Sequence, residues 1–118
     1  MIAYISGPIT GNPGYRQDFW KADRWLHEHG WETINPVHLC SILPVSVQED
    51  LELGHLGGRR YLYYVLRVEF RLIDMADALV LLPGWENSHG ACLERNRAIN
   101  KGKSVYALID GELKGVIT

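Results

Sequence analysis

The sequence is poor in cysteine and has no long apolar run. Its two cysteines, Cys40 and Cys92, fit no C-x-x-C pattern and are too few for a disulfide framework. This usage is typical of a reducing cytosol, so we expect a cytoplasmic protein. No apolar stretch approaches the roughly eighteen residues of a membrane span, and the opening MIAYISGPITG lacks a basic segment followed by an apolar one. We therefore expect neither export nor a membrane partner.

An excess of charge of one sign is also missing. Twelve lysines and arginines stand against 14 acidic residues, which gives a formal net charge of -2. Binding a nucleic acid polymer requires a broad basic surface, so the composition argues against such a partner. Hydrophobic residues make up 47% of the 118 residues, enough for one core. We expect a single domain over residues 1–118.

The order of hydrophobic patterns predicts an α/β fold. Residues 1–6 are β-prone and end at Gly7-Pro8, a helical pattern then runs to Gly30, and residues 31–35 form a second strand candidate. A β-α-β order of this length favours a right-handed parallel crossover. The later predicted elements are a helix from Arg59, a buried strand at 78–82, a helix capped by Asn87 or Ser88 and running to about Asn100, a strand at 104–109 and an edge strand within 111–118.

These elements predict a small doubly wound sandwich of three layers, Rossmann-like or flavodoxin-like, with a four- to five-stranded parallel sheet. Residues from about 38 to 58 carry Pro44, two serines and a glycine cluster but no sustained periodicity. We expect a long irregular loop there, of the kind that often shapes a binding site.

Two glycine-rich corners follow predicted parallel strands, at residues 6–11 and 83–90. Ligands of doubly wound folds bind at the carboxyl ends of the strands, where glycine lets backbone N–H groups approach a phosphate or a sugar hydroxyl. Glycine at such corners is also common for turn geometry alone. The first corner lacks both the lysine of a P-loop and the full G-x-G-x-x-G spacing, so neither an ATPase nor a dinucleotide-dependent dehydrogenase is supported.

Three residues could carry chemistry at these corners. Glu94 lies early in a predicted helix, where the dipole favours an ionised carboxylate, although a glutamate taken alone more often occupies a solvated surface position. Glu69 falls on the inward stripe of the preceding helix, where a carboxylate is costly unless it lines a wet cavity or the helix is rotated. Tyr4 precedes the first corner and could reach the same cleft or sit in the core. Trp85 could stack on a base or fill a subunit contact.

Together, the segments YISGPITG, INP and MADALVLLPGWENSHGACLERNRA resemble the nucleoside 2-deoxyribosyltransferase superfamily, especially its short phage-type members. The resemblance spans nearly the whole chain, and LPGWENSHGACLE is its most specific part. The superfamily also includes nucleoside 5'-monophosphate N-glycosidases. Both activities break the bond between a base and C1' of a sugar, with a glutamate as nucleophile.

The resemblance implies roles for individual residues. Glu94 matches the nucleophile, Tyr4 the tyrosine that orients it, and Glu69 occupies the place of an assisting acid that is usually aspartate. Ser88 matches a serine that holds a 5'-phosphate, whereas Thr10 stands where the monophosphate hydrolases tend to have arginine. The residues expected to contact substrate are Gly7, Pro8, Ile9, Ser88, Gly90 and Trp85.

The expected function is cleavage of the N-glycosidic bond of a 2'-deoxynucleoside or its 5'-monophosphate, with release or exchange of the base. No metal or organic cofactor is needed for this chemistry, and the resemblance implies a homo-oligomer. One alternative is a phosphoribohydrolase of the cytokinin-activating type, whose PGG-x-GT-x-x-E motif is similar to LPGWENSHGACLE without its paired glycines. Another is a nucleotide-binding or sensor module without turnover.

Overall fold

The computed structural model describes residues 1–42, 44–46, 48–49 and 56–116, with all side chains except those of Cys40 and residues 56–64. The strands are β1 (Ile2–Ser6), β2 (Glu32–Ile34), β3 (Ala78–Leu81), β4 (Ser104–Ile109) and β5 (Glu112–Gly115). The helices are α1 (Tyr15–Glu28), α2 (Val37–Cys40), α3 (Leu56–Met75) and α4 (His89–Asn100), and a 3-10 turn over Trp85–Asn87 precedes α4. Within the described residues, every helix is too short or too polar to cross a bilayer.

The five strands form one sheet in the order β2-β1-β3-β4-β5. The first four run parallel, which confirms the predicted doubly wound α/β fold. The fifth strand corrects the prediction of an all-parallel sheet, because β5 pairs with β4 in the antiparallel direction. The connections out of β1 and β3 leave towards opposite sides, so the switch point of the sheet lies between these two strands.

A tight turn explains the direction of β5. Asp110 and Gly111 have positive φ angles of 49° and 72°, and Ile109 pairs directly with Glu112. A two-residue connection with both φ angles positive is a type I′ hairpin, which returns the chain antiparallel to the strand it leaves.

Helices cover both faces of the sheet. On one face, Ala3 and Ile5 of β1 pack against Phe19 and Leu26 of α1. On the other face, Tyr4 belongs to a second buried cluster with residues of α3, β3 and α4. Because side chains alternate along a strand, Ser6 lies on the same face as Tyr4. This alternation brings two polar side chains of β1 beneath the helices that carry the predicted acids.

The predicted irregular segment at about 38–58 is helical at both ends. Its first residues belong to α2, and α3 begins at Leu56 rather than at Arg59. The pair Gly57-Gly58 suggested a loop, yet both glycines lie in the first turn of α3. Helix propensity is a weak prior that the surrounding structure overrides here. Residues 43, 47 and 50–55 of the predicted loop lie outside the described residues.

Candidate active site

A cavity of about 460 Å³ opens at the carboxyl end of β1, beside the start of α4. The loop after β1 supplies Gly7, Ile9 and Thr10 to its wall, and α3 supplies Leu66 and Glu69. Residues 87–91, 93 and 94 close the remaining side. The cavity therefore lies next to the switch point of the sheet, which is where doubly wound folds bind ligands.

Glu94 is buried at this cavity, with 5% of its surface exposed. The Tyr4 hydroxyl donates a hydrogen bond to Oε2 of Glu94. The Ser6 hydroxyl donates to the other carboxylate oxygen, Oε1, over 2.8 Å. Each oxygen of Glu94 therefore has its own donor, and both donors come from β1.

Glu69 reaches the same point from α3. It is 3% exposed, and its carboxyl group interacts with the carboxyl group of Glu94 and with the hydroxyl of Tyr4. The structure thus brings the three predicted chemical residues into one buried cluster, contributed by three elements. Because Glu69 is buried on the inward face of α3, the alternative of a rotated helix that exposes its side chain to water is wrong.

Burial and mutual contact shift the pKa values of Glu69, Glu94 and Tyr4. Burial, and then the charge of Glu94, raise the pKa of Glu69 well above its ordinary value. Burial also raises the pKa of Glu94, but hydrogen bonds from Glu69, Tyr4 and Ser6 act in the opposite direction. Burial and the neighbouring carboxylates raise the pKa of Tyr4 well above 10.0, so its hydroxyl remains a donor. Two carboxyl groups in contact cannot easily both ionise, which favours a proton on Glu69 and a charge on Glu94.

The start of α4 is fixed by Ser88. Its backbone is extended (φ -101°, ψ 115°), and its Oγ accepts a hydrogen bond from the Ala91 N–H over 3.2 Å. This is ordinary N-capping. The cap places Ser88 and Gly90 in the cavity wall, and a Cβ atom on Gly90 would meet no atom within 4 Å.

Gly7 has a structural reason to be glycine. A Cβ atom at this position would lie 2.9 Å from Cβ of Leu82, closer than real contacts allow. Its backbone therefore packs directly against the residue that follows β3. Gly7 also lies in the cavity wall, so the same close approach shapes the site.

Two predicted substrate contacts lie outside the cavity wall. Gly7, Ile9, Ser88 and Gly90 line the cavity as expected, whereas the described wall does not include Pro8 or Trp85. The Trp85 ring packs against the buried cluster beneath α3 and α4, and the guanidinium of Arg95 lies 5.4 Å from its centroid. The 3-10 turn returns the ring to the sheet, so Trp85 contributes to packing.

Several residues of the site are not among the predicted substrate contacts. Ser6 was read only as part of the glycine corner, although alternation along β1 places it on the face of Tyr4. Asn87 and His89 flank Ser88 in the cavity wall, and Leu66 and Leu93 supply apolar surface there. The position of Leu66 one turn before Glu69 on α3 was the available signal for its inward direction.

Solved structures of two enzymes share this fold. One is a 2-deoxyribosyltransferase of the psychrotolerant bacterium Bacillus psychrosaccharolyticus, with a TM-score of 0.63 and 16% sequence identity, covering 100% of this chain and 77% of the other. The second is a CMP N-glycosidase of Clostridium botulinum, with a TM-score of 0.53 and 15% identity, covering 91% of this chain and 67% of the other. The likeness to the 2-deoxyribosyltransferase superfamily inferred from the motifs is confirmed at the level of the fold.

A comparison with curated proteins finds no match. A family model does match, over residues 1–107, which include β1, β2, β3, the first four residues of β4, the helices α1 to α4 and every residue of the buried cluster. The chain therefore belongs to the family described as a domain of unknown function, DUF4406.

Proposed function

We propose that the chain cleaves the N-glycosidic bond of a nucleoside or nucleotide, with Glu94 as nucleophile and Glu69 as general acid. The observation that carries this proposal is the buried contact of Tyr4, Glu69 and Glu94 at a cavity of about 460 Å³. A buried carboxylate with a donor on each oxygen, beside a second carboxyl of raised pKa, fits a nucleophile and its acid.

In the first step the carboxylate of Glu94 attacks C1' of the sugar. The bond from C1' to the base nitrogen breaks, and its electron pair leaves with the base. Glu69 gives its proton to the departing base, which its raised pKa suits near neutral pH. Positive charge develops at C1' during this step, and the negative charge of Glu94 stabilises it before the glycosyl ester forms.

In the second step the ester is resolved. A water molecule attacks C1' in a hydrolase, and the nitrogen of an incoming base attacks in a transferase. Glu94 leaves as the carboxylate, and Glu69 accepts the proton from the attacking group. Tyr4 and Ser6 can again donate to both oxygens of Glu94 in the regenerated enzyme.

The two structural neighbours support this substrate class, since one is a deoxyribosyltransferase and the other an N-glycosidase of CMP. We propose a 2'-deoxynucleoside or its 5'-monophosphate as substrate. Ser88 and Gly90, at the N-terminus of α4, are the residues of the cavity best suited to an anionic phosphate. The apolar side chains of Ile9, Leu66 and Leu93 offer surface for a base.

The test is release of free base from a panel of deoxynucleosides, ribonucleosides and their 5'-monophosphates, followed by chromatography with and without an acceptor base. Wild-type protein should release base from a deoxy substrate, and exchange with the acceptor would identify a transferase. Glu94→Gln should lower kcat by several orders of magnitude, because it removes the covalent nucleophile. Glu86→Gln is the matched control, since Glu86 is exposed on the preceding 3-10 turn.

Equal rates in wild type and Glu94→Gln would remove Glu94 from the mechanism. Nucleotide binding without release of base, unchanged in Glu94→Gln, would replace the enzyme by a binding module. Release from ribonucleoside monophosphates alone would favour the phosphoribohydrolase.

A further inference from the structure

We infer that Ser6 is a positioning residue of this site, which fixes the carboxylate of Glu94 in one orientation through a hydrogen bond to Oε1. The inference rests on the proposed function for its catalytic consequence and on the geometry of β1 for its structural basis. The neighbouring strand residue Tyr4 holds Oε2, so the two hydroxyls act as a pair.

Ser6 cannot act on a substrate directly. Its surface is 0% exposed, and it does not belong to the described wall of the cavity. Its hydroxyl lies 2.8 Å from Oε1 of Glu94, which does line the cavity. Any effect of Ser6 on the reaction must therefore pass through Glu94.

The backbone of Ser6 is held firmly against β3 and the residue that follows it. Its carbonyl oxygen accepts a hydrogen bond from the N–H of Leu82 over 2.8 Å, and Ser6 pairs with Leu81 in the β1–β3 ladder. The next residue, Gly7, packs against Leu82 with no room for a side chain. A donor on such a rigid strand can orient a carboxylate more closely than a donor on a loop.

Two donors, one on each oxygen, restrain rotation of the Glu94 carboxylate about its terminal bond. During attack on C1', one oxygen becomes the ester oxygen and loses its charge, while the other keeps its donor as a carbonyl. A hydrogen bond to a carboxylate is stronger than one to the protonated acid, so the pair also favours the ionised form of Glu94, which is the form that attacks. The Ser6 hydrogen bond is among those that oppose the rise in the pKa of Glu94 caused by burial.

The experiment compares wild type with Ser6→Ala, Ser6→Cys and Ser6→Thr in steady-state kinetics over a pH series. Ser6→Ala should lower kcat about tenfold to a hundredfold, the range for a lost hydrogen bond to a charged group, with little change in KM. The acidic limb of kcat/KM should move to higher pH, since Glu94 loses a donor to its ionised form. Ser6→Thr, which keeps the hydroxyl, should recover most of the rate, and the near-isosteric Ser6→Cys should not.

The control is Ser104→Ala, an exposed serine at the start of β4. If wild type is active and Ser6→Ala keeps both its kcat and its acidic limb, Ser6 serves packing alone and the inference is overturned, while the proposed function stands. If wild type releases no base from any substrate, ¹³C NMR titration of the Glu94 carboxyl decides instead. An upward shift of its midpoint in Ser6→Ala, or in Ser6→Cys if the alanine variant does not fold, supports the inference, and an unchanged midpoint rejects it.

Discussion

Glu69 and Glu94 are two acids with different surroundings, although they touch each other. Glu94 receives hydrogen bonds on both carboxylate oxygens. Burial and the charge of Glu94 both raise the pKa of Glu69. Environments that push two carboxyl pKa values apart are how enzymes assign one acid and one ionised group at neutral pH. At the scale of residues, the division of labour in the proposed mechanism follows from these contacts.

Replacing Glu69 by glutamine removes the proton donor and keeps the shape of the side chain. We expect kcat to fall about a hundredfold to ten-thousandfold, the usual contribution of general acid catalysis, and the alkaline limb of the pH–rate profile to disappear. A base that already carries a positive charge, as in a 7-methylguanine deoxynucleoside, departs without being protonated. For such a substrate the variant should lose much less of its kcat.

Steady-state rates for both kinds of substrate measure this difference, with the exposed Glu112→Gln as control. An equal loss for both kinds of substrate would show that Glu69 has another role.

The meeting of Tyr4, Glu69 and Glu94 in one cleft could be predicted from the sequence, and the further donor, Ser6, could not. Glu69 was visible because a carboxylate interrupts an apolar stripe. Ser6 carries no such signal, since a serine before a glycine is ordinary in a turn. For Trp85 the sequence leaves two uses open, because an aromatic residue beside a glycine corner suits a ligand as well as it suits a core. The structure packs its ring against the buried cluster.

At the scale of elements, the site depends on the close approach of the β1–α1 loop to the end of β3. Gly7 and Leu82 form that contact, and Leu82 also donates its N–H to Ser6. The strand β1, which carries two donors to Glu94, is thus packed directly against β3, the strand that leads into α4. Any change that separates these two strand ends should disturb the cluster at Glu94.

The substitution Gly7→Ala should test that contact. The added methyl would lie 2.9 Å from Leu82 Cβ and 3.2 Å from Cγ, so we expect a loss of about 1–3 kcal/mol in the free energy of unfolding, typical of overpacking. Urea denaturation measures it. Gly115→Ala is the matched control, because a Cβ atom there meets nothing within 4 Å.

A double-mutant cycle identifies the cause of that loss. Combined with Leu82→Ala, which leaves Cβ but removes the rest of the side chain, Gly7→Ala should cost measurably less than it does alone. Costs that simply add would show that Cγ and Cδ1 of Leu82, which the alanine variant lacks, do not cause the strain at Gly7.

Most elements were predictable because their hydrophobic period and their end signals agree. The direction of β5 was not predicted, although Asp110-Gly111 between two β-prone runs is a recognised hairpin signal. The first turn of α3 was not predicted because two consecutive glycines favour a loop on propensity alone.

At the scale of the whole molecule, the buried acids link stability to pH. The folded state raises the pKa of Glu69, so the stability from its protonated form is complete below the unfolded value of about 4.3 and is lost as pH rises through the folded pKa. Asp74 has the opposite effect on the pH dependence of stability, because hydrogen bonds from Arg97 lower its pKa. Its contribution is present above its unfolded pKa and is lost as pH falls through the lowered value.

We therefore expect wild type to lose stability relative to Glu69→Gln as pH rises from about 4 towards neutral. The contribution of Asp74 is common to both proteins and cancels in the comparison. Urea denaturation at a series of pH values gives the difference in unfolding free energy directly. A difference that stays constant over this range would mean that Glu69 titrates alike in the folded and unfolded chain.

Both outer strands of the sheet are short. The strand at one border, β2, has three residues, and β5 at the other has four, two of which are Glu112 and Lys114. An exposed strand edge is a template on which another chain can pair, and brevity and charge are the usual protections against it. The architecture that gathers the acids at its centre thus limits fibre growth at its borders, and a long or uncharged replacement for β5 would make aggregation the main risk.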